Sequence, residues 1–191
     1  LILPLGAGYL LSYLADSLSN PSKIGLLPTF PFGWRNSGLE VTESILAVYI
    51  RNLLDSLRDD GFTQVYALTP PGVNLDLGSG AIRLPSQNKQ VVLFPSDSEN
   101  GKVVLIPIGH TEQHSLHLPL SVDTISIEAI AQGVAAVIPD QAFSLPVMPY
   151  GVSTHRESFA ATMNAGGRAF EDFWGDVVHV LVQKGYDRFY L

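Results

Sequence analysis

The chain has 191 residues, of which 46% are hydrophobic and 15% are charged. This composition excludes a disordered or fibrous chain and fits one domain, or two small similar halves. The 18 acidic residues outnumber the 11 basic ones, giving a formal charge of -7, so nucleic acid and anionic membrane are not expected partners. Because there is no cysteine, any metal must be held by histidine and carboxylate groups.

The ends and the hydropathy of the chain give three further expectations. No apolar segment approaches the roughly 20 residues that cross a bilayer, so no transmembrane helix is expected. Residues 1–13 are apolar but lack a basic start and contain Pro4, which argues against a signal peptide; a cytoplasmic location is expected. The chain begins without methionine and stops inside an apolar run, which is typical of a piece of a longer protein.

The first half of the chain predicts a strand at residues 1–5 and then an amphipathic helix at residues 43–57. Apolar side chains recur in this helix at helical spacing, and Gly61 follows its end. Residues 69–101 are rich in Pro, Gly, Ser and Asn and are interpreted as a connector. Its strand candidates lie near Ile82 and at residues 91–94.

The second half predicts strand, helix, strand, helix and strand in that order. Residues 103–108 form a continuous apolar run, as expected for a strand buried in a parallel sheet. A helix is predicted at 123–137, capped by Asp123 or Thr124, with a strand at 143–148. A second helix at 168–183 is ended by Gly185, and a strand at 186–191 follows it.

Three sequence anchors recur in the same order in both halves, as sought in any search for internal repeats. The offsets between corresponding anchors are 103, 118 and 124 residues, so the first copy is shorter by 15 residues between its first two anchors and by 6 between its last two. The larger of these gaps corresponds to residues 110–124 of the second copy. The alternative is that two ordinary βαβα units resemble each other because they share folding constraints. The anchors pair Leu3-Pro4-Leu5-Gly6 with Ile106-Pro107-Ile108-Gly109, the segment 28–33 with 146–151, and 61–66 with 185–190.

Alternating strands and helices predict a layered α/β/α sandwich with a mainly parallel sheet, built from two similar βαβα halves. We divide the chain into a first half at 1–68 that lacks the chemical motif, a connector at 69–102, and a second half at 103–191 that carries it. One compact domain is an equally open description.

The segment after the predicted strand 103–108 concentrates the chemistry of the chain. Three of the five histidines and two carboxylates fall within residues 110–123, where the carboxyl ends of parallel strands bind ligands. Glu112 and His114 lie two residues apart and project the same way in an extended loop, and Asp123 can fold back across it. These groups suit zinc, manganese and related ions. A solvated loop, in which His117 caps a neighbour, is the alternative.

The same segment resembles the signature of the creatininase (creatinine amidohydrolase) family. Similarity continues through the segment 149–153 and through His155, Phe159 and Thr162. The motif elements that carry the resemblance are Ile106-Pro107-Ile108-Gly109, Glu112-Gln113-His114, His117-Leu118-Pro119-Leu120 and Asp123-Thr124.

The resemblance implies a metal-dependent amidohydrolase that hydrolyses a C–N bond in a cyclic or linear amide through metal-activated water. It implies zinc or manganese, in a binuclear centre, with Glu112, His114 and Asp123 as metal ligands. His117 and His155 are the residues it suggests for the catalytic site. It further implies a small-molecule amide substrate and a homo-oligomer.

Departures from the family pattern leave other functions open. Ser115 and Leu116 stand where glycine and proline are usual, which makes the loop less free to take positive φ, and Ala160-Ala161 replace Pro-Gly. The family's later ligands, in an N-G-H motif and a further Glu, would follow Leu191. An inactive relative that serves in binding or assembly is the second hypothesis, and a metal-free nucleotide-binding or small-molecule-binding domain is the third. Trp34 and the aromatic stripe around Trp174 are interpreted as core or interface residues rather than as a cofactor site.

Overall fold

The computed structural model describes residues 1–6, 24–83, 99 and 101–191. The described residues contain strands, helices and two short 3₁₀ turns, at Gly78–Gly80 and Thr154–Arg156. In chain order they are β1 (Ile2–Pro4), α1 (Glu43–Asp59), β2 (Tyr66–Thr69), β3 (Ala81–Arg83), β4 (Val103–Leu105), α2 (Val122–Val137), β5 (Ala142–Ser144), α3 (Gly167–Gln183) and β6 (Phe189–Tyr190).

The strands of the described residues pair in parallel, which confirms the predicted α/β class. Within the described residues they form two three-stranded sheets, in the orders β1-β2-β3 and β5-β4-β6, where we expected one mainly parallel sheet. The layering of the sandwich stays a prediction. β3 lies in the predicted connector and extends the first sheet, whereas the strand candidate at 91–94 lies outside the described residues.

Helices α1 and α3 form the centre of the core because each carries an apolar stripe of large side chains. They pack against each other, and the ring centroids of Tyr49 and Phe173 lie 4.9 Å apart. A single buried cluster draws residues from both halves of the chain. Trp34 and Trp174 are part of it, as the sequence predicts.

The two halves make the same backbone hydrogen bonds at the offsets of the sequence anchors. The N–H of Gly6 donates to the carbonyl of Phe30 at 3.0 Å, and the N–H of Gly109 donates to that of Met148 at 2.8 Å. α1 and α3 have 17 residues each. Gly61 and Gly185 follow them with φ of 92° and 95°, the left-handed conformation that ends many helices. The division into halves and connector stays a prediction.

Corresponding residues also meet across the contact between the halves. The Tyr49 hydroxyl of α1 donates to the carbonyl of Tyr150 at 2.8 Å. At the matched positions, Phe173 of α3 stacks on Phe32, with centroids 6.2 Å apart. Such reciprocity is typical of an approximate two-fold relation. Burial raises the pKa of both Tyr49 and Tyr150, so each hydroxyl stays a donor.

Helix α2 differs from the other two helices in its capping and burial. Its N-cap is Ser121, so the prediction that Asp123 or Thr124 caps it is wrong, because the chain enters the helix two residues earlier. Only Ala131 is buried along α2, and Ile130 is 61% exposed. No helix among the described residues is long and apolar enough to cross a membrane.

Candidate metal centre

The candidate site is a loop that leaves the carboxyl end of β4 and leads into α2. Gly109 starts the loop against the first turn of α2, where a Cβ on it would lie 2.5 Å from Thr124 Cα. The Thr124 hydroxyl donates to the carbonyl of His110 at 3.0 Å. The N–H of Glu112 donates to the carbonyl of Leu120 at 3.0 Å and closes the loop. The strand end and the helix start are therefore locked together.

This closure brings Glu112, His114 and Asp123 into one cluster. Each offers one atom, and these atoms lie within 4.8 Å of one another. The Nε2 of His114 lies 3.2 Å from Asp123 Oδ1 and 3.4 Å from Glu112 Oε1. Glu112 is only 5% exposed, whereas His114 and Asp123 are half-buried at the open side of the cluster.

A backbone contact fixes which nitrogen of His114 faces the cluster. Its Nδ1 lies 3.1 Å from the carbonyl oxygen of Glu112, which can only accept, so Nδ1 carries the proton. In the neutral ring Nε2 then points a lone pair at two carboxylate oxygens. Three acceptor atoms thus converge, and this arrangement requires a cation or an extra proton among them.

Charged and hydroxyl groups contact both oxygens of the Glu112 carboxylate. The Ser153 hydroxyl donates to Oε2, and Arg156 Nε lies 3.4 Å from Oε1. Arg156 also donates through Nη1 to the carbonyl of Gln113 at 2.6 Å. His110 Nε2 approaches Oε2 to 3.9 Å. Burial lowers the pKa of His110, and the negative charges of Glu112 and Asp123 oppose that shift.

Hydrogen bonds join the loop to the second motif segment, residues 149–163. The Thr111 hydroxyl donates to the carbonyl of Pro149 at 2.8 Å, and the N–H of Gln113 donates to the Thr162 hydroxyl at 3.1 Å. Ser115 and Ala161, which replace the glycines usual in the resembled family, have φ of 64° and 67°. The loop therefore keeps the left-handed backbone that we expected these residues to restrict.

The donor set fits a divalent ion. For metal–ligand bonds of about 2.0–2.2 Å, neighbouring ligand atoms of a tetrahedral shell lie about 3.4 Å apart, close to the 3.2 and 3.4 Å measured here. A ligating histidine usually donates its other N–H to a carbonyl or carboxylate, as His114 does. The role of these three residues as ligands stays a prediction.

The two predicted catalytic histidines lie outside this cluster. His117 is exposed on the loop. His155 is also exposed, and its Nε2 accepts from Arg156 Nε at 3.3 Å. Their catalytic role stays a prediction. Sequence reasoning assigned no role to His110, Ser153 or Arg156, although Ser153 belongs to a motif element that the sequence displays.

These elements define an α/β protein whose candidate divalent-metal site lies behind a buried parallel strand. Residues 93–191, just over half of the chain, match the family described as creatinine amidohydrolase. The chain therefore belongs to the creatininase family.

Individual relatives match shorter parts. The mycofactocin precursor peptide peptidase of Mycolicibacterium smegmatis is 39% identical over 77 residues, which are 36% of this chain and 30% of that protein. That of Mycobacterium tuberculosis is 35% identical over 84 residues, 40% of this chain and 32% of the relative. A crystal structure of creatinine amidohydrolase has a TM-score of 0.45 and 26% identity over 49% of this chain and 37% of that one. The chain spans about a third of the length of the curated relatives it matches.

Proposed function

We propose that this chain belongs to a metal-dependent hydrolase that cleaves a C–N bond of an amide or peptide, with Glu112, His114 and Asp123 holding a divalent ion. The observation that carries the proposal is the meeting of His114 Nε2 with two carboxylate oxygens at 3.2 and 3.4 Å, while Nδ1 faces a carbonyl. Zinc or manganese suits this donor set.

Each of the three donors is oriented by a different part of the structure. Glu112 is buried and held by Ser153 and Arg156, so its carboxylate has a fixed direction. Asp123 is carried by the first turn of α2. His114 is oriented by the Glu112 carbonyl. Fixed donors reduce the ordering that binding would otherwise require.

A bound divalent ion lowers the pKa of its water and polarises a carbonyl, which is the chemistry that amide hydrolysis needs. The half-buried side of the cluster, at His114 and Asp123, is where a substrate carbonyl would approach. His155 is the nearer candidate for substrate contact, because its neighbour Arg156 touches Glu112. His117 is the second candidate.

The substrate class that we propose is a cyclic amide, a linear amide or a short peptide. The mycobacterial relatives are peptidases of a precursor peptide, and the family is described as creatinine amidohydrolase; both descriptions concern C–N bonds. We also propose a homo-oligomer and one or two ions per chain, as the family resemblance implies.

Metal binding tests the proposal first. Purified chain is stripped with chelator, titrated with Zn²⁺ or Mn²⁺ in a calorimeter and analysed for bound metal. We expect stoichiometric binding, which Asp123→Asn and Glu112→Gln weaken roughly tenfold or more. Asp187→Asn, on an exposed carboxylate, is the matched control and should bind as the unaltered chain does. Failure of the unaltered chain to bind either ion contradicts the proposal.

Activity separates the enzyme from its main rival. An inactive relative with a binding or assembly role is favoured by the exposed positions of His117 and His155 outside the cluster. A panel of cyclic amides, formyl amides and short peptides should be hydrolysed by the metal-loaded chain and not by Asp123→Asn. Metal binding without turnover of any amide would favour the assembly role.

A further inference from the structure

His110 is a buried histidine that faces the cluster without belonging to it. It is 8% exposed, and its Nε2 has no hydrogen-bond partner among the described residues. The cluster of three donors does not include it. A buried polar nitrogen without a partner costs about 1–3 kcal/mol, so its position calls for a physical reason.

The hydrogen bond on the other side of the ring identifies which nitrogen carries the proton. The backbone N–H of Thr111 donates to Nδ1 of His110 at 2.9 Å. Nδ1 therefore uses its lone pair as an acceptor, and the neutral ring carries its proton on Nε2. His110 thus presents an N–H toward the carboxylate of Glu112, whereas His114 presents a lone pair to the same carboxylate.

The two oxygens of Glu112 consequently have different surroundings. Oε1 lies 3.4 Å from His114 Nε2 and faces the cluster, and Arg156 Nε lies 3.4 Å from the same oxygen. Oε2 accepts from the Ser153 hydroxyl and lies 3.9 Å from His110 Nε2. That separation exceeds a hydrogen bond by about 1 Å, which a small turn of the ring or the carboxylate would remove. The Ser153 hydroxyl and the His110 Nε2–H are thus the two donors on the side of Oε2, the oxygen that is turned away from the cluster.

We propose that His110 is a positioning residue for Glu112: its Nε2–H and the Ser153 hydroxyl hold Oε2, so that Oε1 stays directed at His114 and Asp123. The proposal rests on the proposed function for the identity of the site. His110 itself is not a ligand, because a ligating Nε2 needs its lone pair and its Nδ1 would then have to donate. Here Nδ1 accepts.

Nitrogen NMR of the metal-free chain tests the tautomer directly. The protein is labelled with ¹⁵N-histidine, and the ring signals of His110 are assigned from their loss in His110→Gln. We expect a protonated Nε2 and an unprotonated Nδ1. A proton on Nδ1 overturns the proposal. Because no metal is needed, this result stands whether or not the proposed function holds.

Zinc binding by three variants tests the positioning role. His110→Leu removes the donor at similar size and should raise the dissociation constant for Zn²⁺ roughly tenfold. His110→Gln retains an N–H at a similar reach and should stay within roughly twofold of the unaltered chain. Ser153→Ala should weaken binding in the same direction as His110→Leu. His179→Gln, on the exposed side of α3, is the control and should change nothing.

Two outcomes of the zinc titration would reject the positioning role. If His110→Leu binds zinc as tightly as the unaltered chain, His110 does not hold Glu112. If His110→Gln is as weak as His110→Leu, the ring nitrogen itself is required and His110 is a ligand. Thermal unfolding of each variant separates lost binding from lost folding. If the unaltered chain binds no zinc, the proposed function fails, and the NMR experiment alone decides the state of His110.

Discussion

The two halves share one framework over their described residues, and within those residues the loop that carries Glu112 and His114 belongs to the second half. In each half a strand ends in Pro-x-Gly, and that glycine donates to a residue 24 or 39 positions later, Phe30 or Met148. A 17-residue helix and a left-handed glycine follow in both. In the second half, the segment 110–121 lies between Gly109 and α2. The interval from Gly6 to Phe30 in the first half is 15 residues shorter than the interval from Gly109 to Met148.

The shared strands and helices therefore do not by themselves supply metal-binding side chains. In the described residues of both halves, the glycine that follows a strand donates to the carbonyl of a later segment, Gly6 to Phe30 and Gly109 to Met148. The donors Glu112 and His114 come from the loop itself, and Asp123 comes from the helix that the loop positions. Substitutions at three features should separate these contributions, in decreasing order of expected effect: the anchor of the loop at Gly109, the contact between the halves and the loop backbone.

Replacing Gly109 by alanine should have the largest effect. The new Cβ would lie 2.5 Å from Thr124 Cα and 2.9 Å from its nitrogen, and backbone atoms cannot turn away as a side chain can. The start of α2 must move, carrying Asp123 with it. We expect a loss of about 3 kcal/mol or more in the free energy of unfolding, measured by urea denaturation, together with loss of zinc binding.

Gly133→Ala is the control for this change. Gly133 lies within α2, and a Cβ there meets nothing within 4 Å. Alanine at this position should leave stability unchanged or raise it by up to about 1 kcal/mol, because it favours the helix. Equal stability of both variants would show that Gly109 does not anchor α2.

Tyr49→Phe should have an intermediate effect on the free energy of unfolding. The substitution gives α1 the residue that α3 has at the matched position, Phe173. The change removes the hydroxyl that donates to the Tyr150 carbonyl at 2.8 Å and leaves that buried acceptor with one partner fewer. We expect a loss of about 1–2 kcal/mol in urea denaturation. Tyr190→Phe, at a 71% exposed residue, should change stability by less than about 0.5 kcal/mol; similar losses in both variants would argue against the contact.

Glycine at Ser115 or Ala161 should have the smallest effect, and it should be stabilising. Both residues have φ near 65°, where a side chain is disfavoured by about 1–2 kcal/mol, while glycine has a larger entropy to lose on folding. We expect a net gain of about 0.5 kcal/mol in thermal or urea unfolding, with unchanged zinc affinity. Asn36→Gly is the comparison, because asparagine tolerates its φ of 70° well. A loss of stability on Ser115→Gly would show that the loop backbone carries no strain.

Local patterns predicted much of the fold. The periodicity of large apolar side chains predicted α1 as 43–57 and α3 as 168–183, within two residues of the observed Glu43–Asp59 and Gly167–Gln183. Gly61 and Gly185 marked the ends, since glycine adopts positive φ freely. The same periodicity predicted a helix at 123–137, one residue from the observed Val122–Val137. It did not predict that the described part of the chain leaves the apolar stripe of α2 largely uncovered, because period alone does not say what lies opposite a helix.

The sequence by itself determined the class of fold, the places of the two long helices and the concentration of donors at Glu112, His114 and Asp123. These properties depend on neighbours in the chain: spacing, capping glycines and the residue types of one loop. Only the tertiary structure decided which nitrogen of each histidine faces Glu112, that Ser153 and Arg156 hold this carboxylate, and that His117 and His155 lie exposed. The hold on Glu112 depends on contacts between segments about 40 residues apart, which no local pattern encodes. The ring orientations of His110 and His114 depend on backbone groups one or two residues away, whose placement follows from the folded loop.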